Sequence, residues 1–372
     1  MGKSRFSESQ YKVGDWVEVL SKAEILATLD GNGCLDGMPF MPEMLAFCGS
    51  RFQVYKSAHK TCDTVFPVRS RRVMRSLHLE TRCDGAAHGG CQAGCLLFWK
   101  DAWVKPVEGP DAPGKSPSSI SQTAGDKRLI TVADLLKSTQ EVDAQSGKAK
   151  YVCQATRLPY FTEDLAWWDL RQYIEDYRTG NVGLREIMRG LAYSFVYQLS
   201  IIRFGPGRAV KLIYDILHYP IDGSIYPRRV GKIPAGKPTP TGTLNLQPGE
   251  MVRVKSHKEI LSTLNVASQN RGMTWDAEMV PFCGGTYRVL QRVTRIVNER
   301  TGEMMTMKNP CIILDTVVCK SKYSFCRMYC PRAIYPYWRE IWLERVWPAQ
   351  IAAETGRQVD ADAQERHEVI TA

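Results

Sequence analysis

The 372-residue sequence predicts an α+β protein in which two copies of one small, β-rich module flank a helical middle region. Three observations predict it. Shifted by 235 residues, Gly14 to Asp30 (GDWVEVLSKAEILATLD) falls on Gly249 to Asn265 (GEMVRVKSHKEILSTLN) without a gap, and Phe47-Cys48-Gly49 falls on Phe282-Cys283-Gly284. Agreement over so many positions marks an internal duplication. Within each copy, short runs such as Trp16-Val17-Glu18-Val19 and Leu77-His78-Leu79 read as strands. Between the copies, Tyr160 to Tyr219 places apolar residues at helical spacing.

The first module covers 13-107. After its opening strand, Ser21 and Glu24 form a capping box that starts a short helix, and Ser256 with Glu259 repeats it in the second copy. A second short helix beginning near Pro42 carries Glu43 and Met44 towards Cys48. Strands around Phe52-Gln53-Val54 and Leu77-His78-Leu79 follow, and Trp103 to Val107 closes the module as a last strand. Residues 108-148, rich in Pro, Gly and Ser, read as a flexible linker. In the middle region, 149-225, Thr162 is expected to cap a helix carrying Leu170, Tyr173, Ile174 and Tyr177 on one face and ending at Gly180. A second helix, Leu184 to Arg203, and a third, Arg208 to Tyr219, are expected to form a buried hairpin. Residues 226-247 form a basic, Pro-rich connector, 248-348 the second module, and 349-372 an acidic tail.

Four or five short strands opening on Gly-Asp-x-Val-x-Val resemble an SH3-like small barrel. The fold expectation is therefore two duplicated SH3-like β-barrel modules, each with a helical insertion and a Cys-rich loop.

The loops carry the chemistry. Each runs through three cysteines into a Trp-x3-Trp pair: CDGAAHGGCQAGCLLFWKDAW (Cys83 to Trp103) and CKSKYSFCRMYCPRAIYPYWREIW (Cys319 to Trp342). With the Phe-Cys-Gly cysteine upstream, the spacings are C-x34-C-x7-C-x3-C (Cys48, Cys83, Cys91, Cys95) and C-x35-C-x6-C-x3-C (Cys283, Cys319, Cys326, Cys330). Divergent copies that both keep four thiols point to two metal sites, because a small module gains much from a tetrahedral staple. Zinc is the expected ion. The irregular spacing also suits a [4Fe-4S] cluster, and Cys326-x3-Cys330-Pro331 echoes part of a ferredoxin pattern. Cys34, Cys62, Cys153 and Cys311 have no matching cysteine and read as small core residues. His88, among glycines in the first loop, reads as a solvent-facing histidine and is the one candidate for proton transfer. The Trp pairs read as core.

GMPFMPEMLAFCG together with CDGAAHGGCQAGCLLFW resembles a set of bacterial proteins of uncharacterised activity in which a Cys-rich, SH3-like module occurs in tandem. That resemblance implies the module arrangement and no reaction.

Forty-nine basic against 39 acidic residues give a net charge of +10, which permits an anionic partner. Lys56, Lys60, Arg69, Arg71, Arg72 and Arg75 form the one dense basic patch. The N-terminal residues lack the apolar core of a signal peptide, and no run approaches membrane-helix length, so the expectation is cytoplasmic with reduced thiols. There is no Walker loop, dinucleotide fingerprint, nucleophile elbow or His-Glu-x-x-His helix. Three functions fit. The first is a metal-binding tandem binding or scaffold protein with a protein partner; the second is a nucleic-acid binder. The third is a zinc or iron-sulfur enzyme with its site in module one. Peripheral membrane contact through 184-219 is a further expectation, from the arginines flanking that apolar segment.

Overall fold

In the computed structural model, which describes residues 9–65, 68–110, 130–143, 147–201, 206–222 and 226–347, the Val-x-Val opening of the chain forms the strand Trp16–Val19. Val17 and Val19 are fully buried, as the alternation requires. This strand pairs antiparallel with Arg51–Gln53 on one side (Val17 opposite Phe52) and with Val104–Pro106 on the other (Val19 opposite Val104). The Ser21–Glu24 capping box starts the helix Lys22–Thr28, and Ile25 seals it to the core.

The core beneath is aromatic. Trp99 and Trp103 are fully buried, and Phe40 meets both edge-on at ring separations of 6.2 and 5.2 Å. Their indole N–H groups donate to Thr81 and Thr28 at 2.9 and 3.0 Å, so neither buried donor is lost. The same arrangement recurs in the second copy. There Trp275 meets Trp338 and Trp342 at 5.7 and 5.2 Å, Trp342 donates to Thr263 at 2.9 Å, and Ser256 with Glu259 caps the helix His257–Ser262. Its opening strand Met251–Val254 likewise pairs with the strands Thr286–Val297 and Leu343–Arg345. The protein is thus α+β, with its strands gathered in small, mostly open sheets of two to four.

Two compact units result. One comprises Met1–Ile221, Thr294–Lys308 and Val318–Tyr335; the other comprises Asp222–Val293, Asn309–Val317 and Pro336–Ala372. The expected module 248-348 is therefore not one body: its hairpin tip and its cysteine loop belong to the first unit. The physical reason is an exchange of hairpins. The tip at Thr294 and Arg295 donates both backbone N–H groups to Gln92 Oε1, at 2.7 and 3.1 Å, in the first copy's loop. Conversely, the first copy's hairpin, Lys60–Asp63 with Arg69–Val73, receives the second copy's loop, Ser70 donating to the Cys326 carbonyl at 2.8 Å. In the second unit, the connector 226-247 is fastened by Glu340. Its buried carboxylate accepts the backbone N–H of Leu244 and Leu246 at 2.9 Å each and pairs with Arg292 at 2.7 Å.

The middle of the chain departs from expectation in four places. Part of the expected linker is ordered, because Ile130 and Leu135 are buried in the core: the helix Val132–Lys137 is followed by a strand Gln140–Val142 paired with Ala149–Tyr151. Thr162 does not cap a helix. It begins a strand, Thr162–Leu165, drawn onto Arg69–Val73 by Arg71, which pairs with Asp164 at 2.7 Å. The helix that follows, Arg171–Arg178, ends before Gly180 as expected but turns its other face inward. Of the expected face only Tyr173 is buried; Leu170, Ile174 and Tyr177 are exposed, whereas Gln172, Glu175 and Asp176 are buried to meet basic partners.

The expected buried hairpin is also not buried. On the helices Leu184–Ser200 and Pro206–Asp222, Leu184, Met188, Leu191, Phe195, Leu212, Ile213, Ile216 and Leu217 are all exposed. No helix among the described residues is long and apolar enough to cross a membrane. The acidic tail, most of the Pro/Gly/Ser-rich stretch and the first eight residues lie outside the described residues.

Gln154 shows how the middle segment is locked to the first module. The strand Leu96–Lys100 is an edge strand, so half of its backbone groups lack a neighbour. Gln154, buried, supplies one: its Oε1 accepts from Phe98 N at 2.9 Å, and its Nε2 donates to the carbonyls of Phe98 and Pro39 at 2.9 and 3.1 Å. Gln154→Ala is expected to destabilise the protein by about 1–3 kcal/mol, the cost of orphaned buried polar groups. A urea titration measures it, and an unchanged midpoint would refute the role.

Candidate metal centre

The first loop doubles back tightly. Cys83 N–H donates to the Cys95 carbonyl at 2.9 Å, and Gly85 sits at φ +72° with its α-carbon against the Cys91 backbone. A Cβ there would lie 2.0 Å from the Cys91 carbonyl oxygen, so only glycine fits. This fold-back, together with the strand lock at Gln154, brings Cys83, Cys91, Cys95 and Cys153 to line one pocket with His88, Met41, Val297 and Arg332. Cys48 does not join them. It ends the short 3-10 helix Pro42–Phe47, is absent from the pocket lining, and has Lys22 rather than a cysteine acting on its thiol. No three cysteine sulfurs among the described residues lie within 4.8 Å of one another, so the sulfurs line the pocket without closing on a point.

Burial dominates the electrostatics of these thiols. It pushes Cys95 up to about 12, Cys83 further still with help from Glu43, and Cys153 above the ordinary thiol range.

His88 is not solvent-facing; it is 1% exposed. Its Nδ1 faces Glu43 Oε1 at 2.7 Å and its Nε2 faces the Val152 carbonyl at 3.0 Å, so both ring nitrogens meet acceptors. Glu43 also accepts from Ala87 N at 3.1 Å and lies 3.7 Å from Cys83 Sγ, while its Oε2 is buried without a partner. Burial would raise this carboxyl, but the hydrogen bond and charge of His88 outweigh it and hold Glu43 below the usual carboxylate range. Glu43, Cys83 and His88 are the one group of three potential ligand residues with ligand atoms within 4.8 Å among the described residues.

The second loop is assembled on different partners. Cys283 ends the 3-10 helix Ala277–Phe282 and belongs to the second unit, whereas Cys319, Cys326 and Cys330 belong to the first. Burial alone raises the Cys283 thiol, to about 12. The sulfur that meets Cys330 is that of Cys62, from the first copy's hairpin: both residues are buried, and Cys62 N–H donates to Cys330 Sγ at 3.0 Å. The thiols hydrogen-bond to each other, and the bond from Cys330 together with nearby Arg332 holds Cys62 the lower of the two. Arg332 itself is buried, donating to the Cys62 carbonyl at 3.2 Å and pairing with Glu299 at 2.7 Å. A close approach of the helix Leu184–Ser200 covers this loop. Tyr329 donates to the Glu186 carbonyl, and a Cβ on Gly190 would lie 1.9 Å from the Tyr329 hydroxyl.

Four of the six residues of the dense basic patch pair with carboxylates. Lys60 pairs with Asp176, Arg71 with Asp164 and Asp63, Arg72 with Asp169 and Glu175, and Arg69 with Asp63 and Asp164. Lys60, Arg71 and Arg72 are buried.

Comparison of the two copies does not single out Cys62 and Cys153, because a cysteine present once has no counterpart to match. The residue 235 positions after Cys62 is Val297, whose N–H donates to Cys91 Sγ at 3.3 Å. No protein-family model, curated protein or solved structure matches the chain.

Proposed function

We propose that the protein is a metal-binding tandem binding or scaffold protein whose first centre is a structural zinc held by Cys83, Cys91, Cys95 and Cys153. The observation that supports this reading is that those four cysteines line one pocket. Burial that raises the Cys83, Cys95 and Cys153 thiols also makes their free thiolates costly, so thiols facing one cavity are best used when a cation neutralises them. A closed all-sulfur set suits zinc, and it is also the donor set of an iron-sulfur cluster. His88 then acts as the fixed partner of Glu43 at the edge of the site, which favours a structural role over an enzyme that moves protons through His88. The SH3-like description of each module belongs to this proposal, supported by the first strand's pairing with the last. The partner is a protein, and the exposed apolar faces of the helices Leu184–Ser200 and Pro206–Asp222 are the contact surface. The internal pairing of the basic patch weighs against nucleic acid.

Elemental analysis of the anaerobically purified full chain tests the metal. The expected result is zinc, colourless protein, and loss of about one equivalent in Cys153→Ser but not in Cys48→Ser. A brown protein with iron would replace zinc by a cluster. Metal at trace levels, or loss in Cys48→Ser alone, would overturn the reading.

A further inference from the structure

Resting on the metal reading above, we propose a second metal centre in which the first copy's hairpin donates a ligand to the second copy's loop: Cys62 with Cys319, Cys326 and Cys330. The arrangement differs from the sequence pattern, which offers Cys283 for the same place.

Four observations carry it. Cys62 and Cys330 are already in contact through a 3.0 Å N–H to sulfur bond. A backbone N–H aimed at sulfur is the interaction that stabilises a thiolate once a metal holds it. Cys319 and Cys330 line one cavity, and the Cys319 sulfur is 3.4 Å from the Ser321 hydroxyl. Cys326 is fixed to the same hairpin: its carbonyl accepts from Ser70, the residue directly opposite Cys62 in the ladder, and its sulfur lies 3.7 Å from the Val68 carbonyl.

The fourth observation is the pseudo-symmetry of the exchange. The hairpin position occupied by Cys62 in one copy and Val297 in the other aims its backbone N–H at a loop sulfur in both cases, Cys330 and Cys91. In the first loop that hairpin can give only the N–H, and Cys153 brings the missing thiol from the middle segment. In the second loop the hairpin gives both. Each loop of three cysteines thereby gains one further thiol from outside its own copy. Buried Arg332, paired with Glu299, donates to the Cys62 carbonyl and fixes the hairpin beside the loop. Four sulfur donors make zinc or an iron-sulfur cluster the ligand class, as in the first centre.

The experiment uses the full chain purified anaerobically, with metal content and thiol accessibility read together. Wild type is expected to hold about two equivalents. Cys62→Ser is expected to hold one and Cys283→Ser two, while Cys153→Ser loses the other. Because Cys62→Ser could fail to fold, alkylation of wild type is followed by mass spectrometry with and without a chelator. Chelation should increase labelling of Cys62, Cys319, Cys326 and Cys330 together, and leave Cys283 unchanged. One equivalent in wild type, lost in Cys153→Ser, would overturn this second centre while keeping the first. No metal at all would end both. Retention of two equivalents in Cys62→Ser, loss in Cys283→Ser, or a Cys62–Cys330 disulfide in the isolated protein would each overturn the ligand exchange.

Discussion

Asp176→Ala is expected to destabilise the protein by about 3–5 kcal/mol, the cost of leaving one member of a buried ion pair alone. Its carboxylate is fully buried, with Lys60 Nζ at 2.6 Å from one oxygen and His59 Nε2 at 3.2 Å from the other. Lys60 is 1% exposed, and it also meets Gln172 Oε1 at 3.5 Å and the Tyr173 and Tyr329 rings at 5.0 and 5.9 Å, none of which neutralises an ammonium. Removing the carboxylate therefore strands a cation inside the fold. Replacing both partners in Lys60→Met/Asp176→Leu should cost less than Asp176→Ala alone, because no charge is then left buried.

The pH dependence follows from the same pair. Burial pushes the Asp176 carboxyl up, but Lys60 and His59 outweigh it and hold it below the ordinary value. A depressed carboxylate contributes stability that is complete above the unfolded value near 3.9 and lost as pH falls through the folded value beneath it. Denaturant midpoints at pH 7 and at intervals below pH 5 measure both effects. A midpoint for Asp176→Ala within about 0.5 kcal/mol of wild type would show that Lys60 finds water or another partner.

That ion pair also explains what was legible in the sequence and what was not. Local chemistry was legible: the capping boxes at Ser21 and Ser256, the buried Trp pairs and the strand Trp16–Val19 follow from side-chain type and short spacing. The helix Arg171–Arg178 was legible as a helix, but its buried face was not. Most of its apolar stripe, all but Tyr173, is exposed because Glu175 and Asp176 must reach Arg72, His59 and Lys60, which lie more than a hundred residues earlier in the chain. The same pairing turns the basic patch inward and makes Thr162 a strand residue. His88 looked exposed among glycines until Glu43 and the Val152 carbonyl closed over it. The duplication offers Cys48 and Cys283 as the fourth cysteine of each set, whereas the centres proposed above take Cys153 and Cys62. Phe-Cys-Gly is repeated because it ends a 3-10 helix in both copies, whereas Cys62 and Cys153 reach the loops only through the exchanged hairpin and the Gln154 lock.

Loading zinc into the proposed first centre is expected to release about three protons or more per ion at pH 7 and to raise the thermal midpoint by roughly 10 °C. Cys95, pushed up to about 12, and Cys83 and Cys153, also raised by burial, are neutral thiols at that pH in the absence of metal. Each must lose its proton to become a ligand, so affinity should rise by about tenfold per pH unit for every proton released. Unmetallated protein should show no stability change from these thiols between pH 5 and 7, where they are protonated in the folded and unfolded states alike, and should lose stability above that as the unfolded thiols ionise at about 8.5. The midpoint gain follows from mass action: free zinc at a thousandfold excess over Kd contributes about 4 kcal/mol. Titration calorimetry in two buffers of different ionisation enthalpy counts the protons, and scanning calorimetry before and after chelation reads the midpoint. An apparent binding enthalpy that is the same in both buffers would mean that no buried thiol deprotonates, and the four-cysteine centre would have to be abandoned.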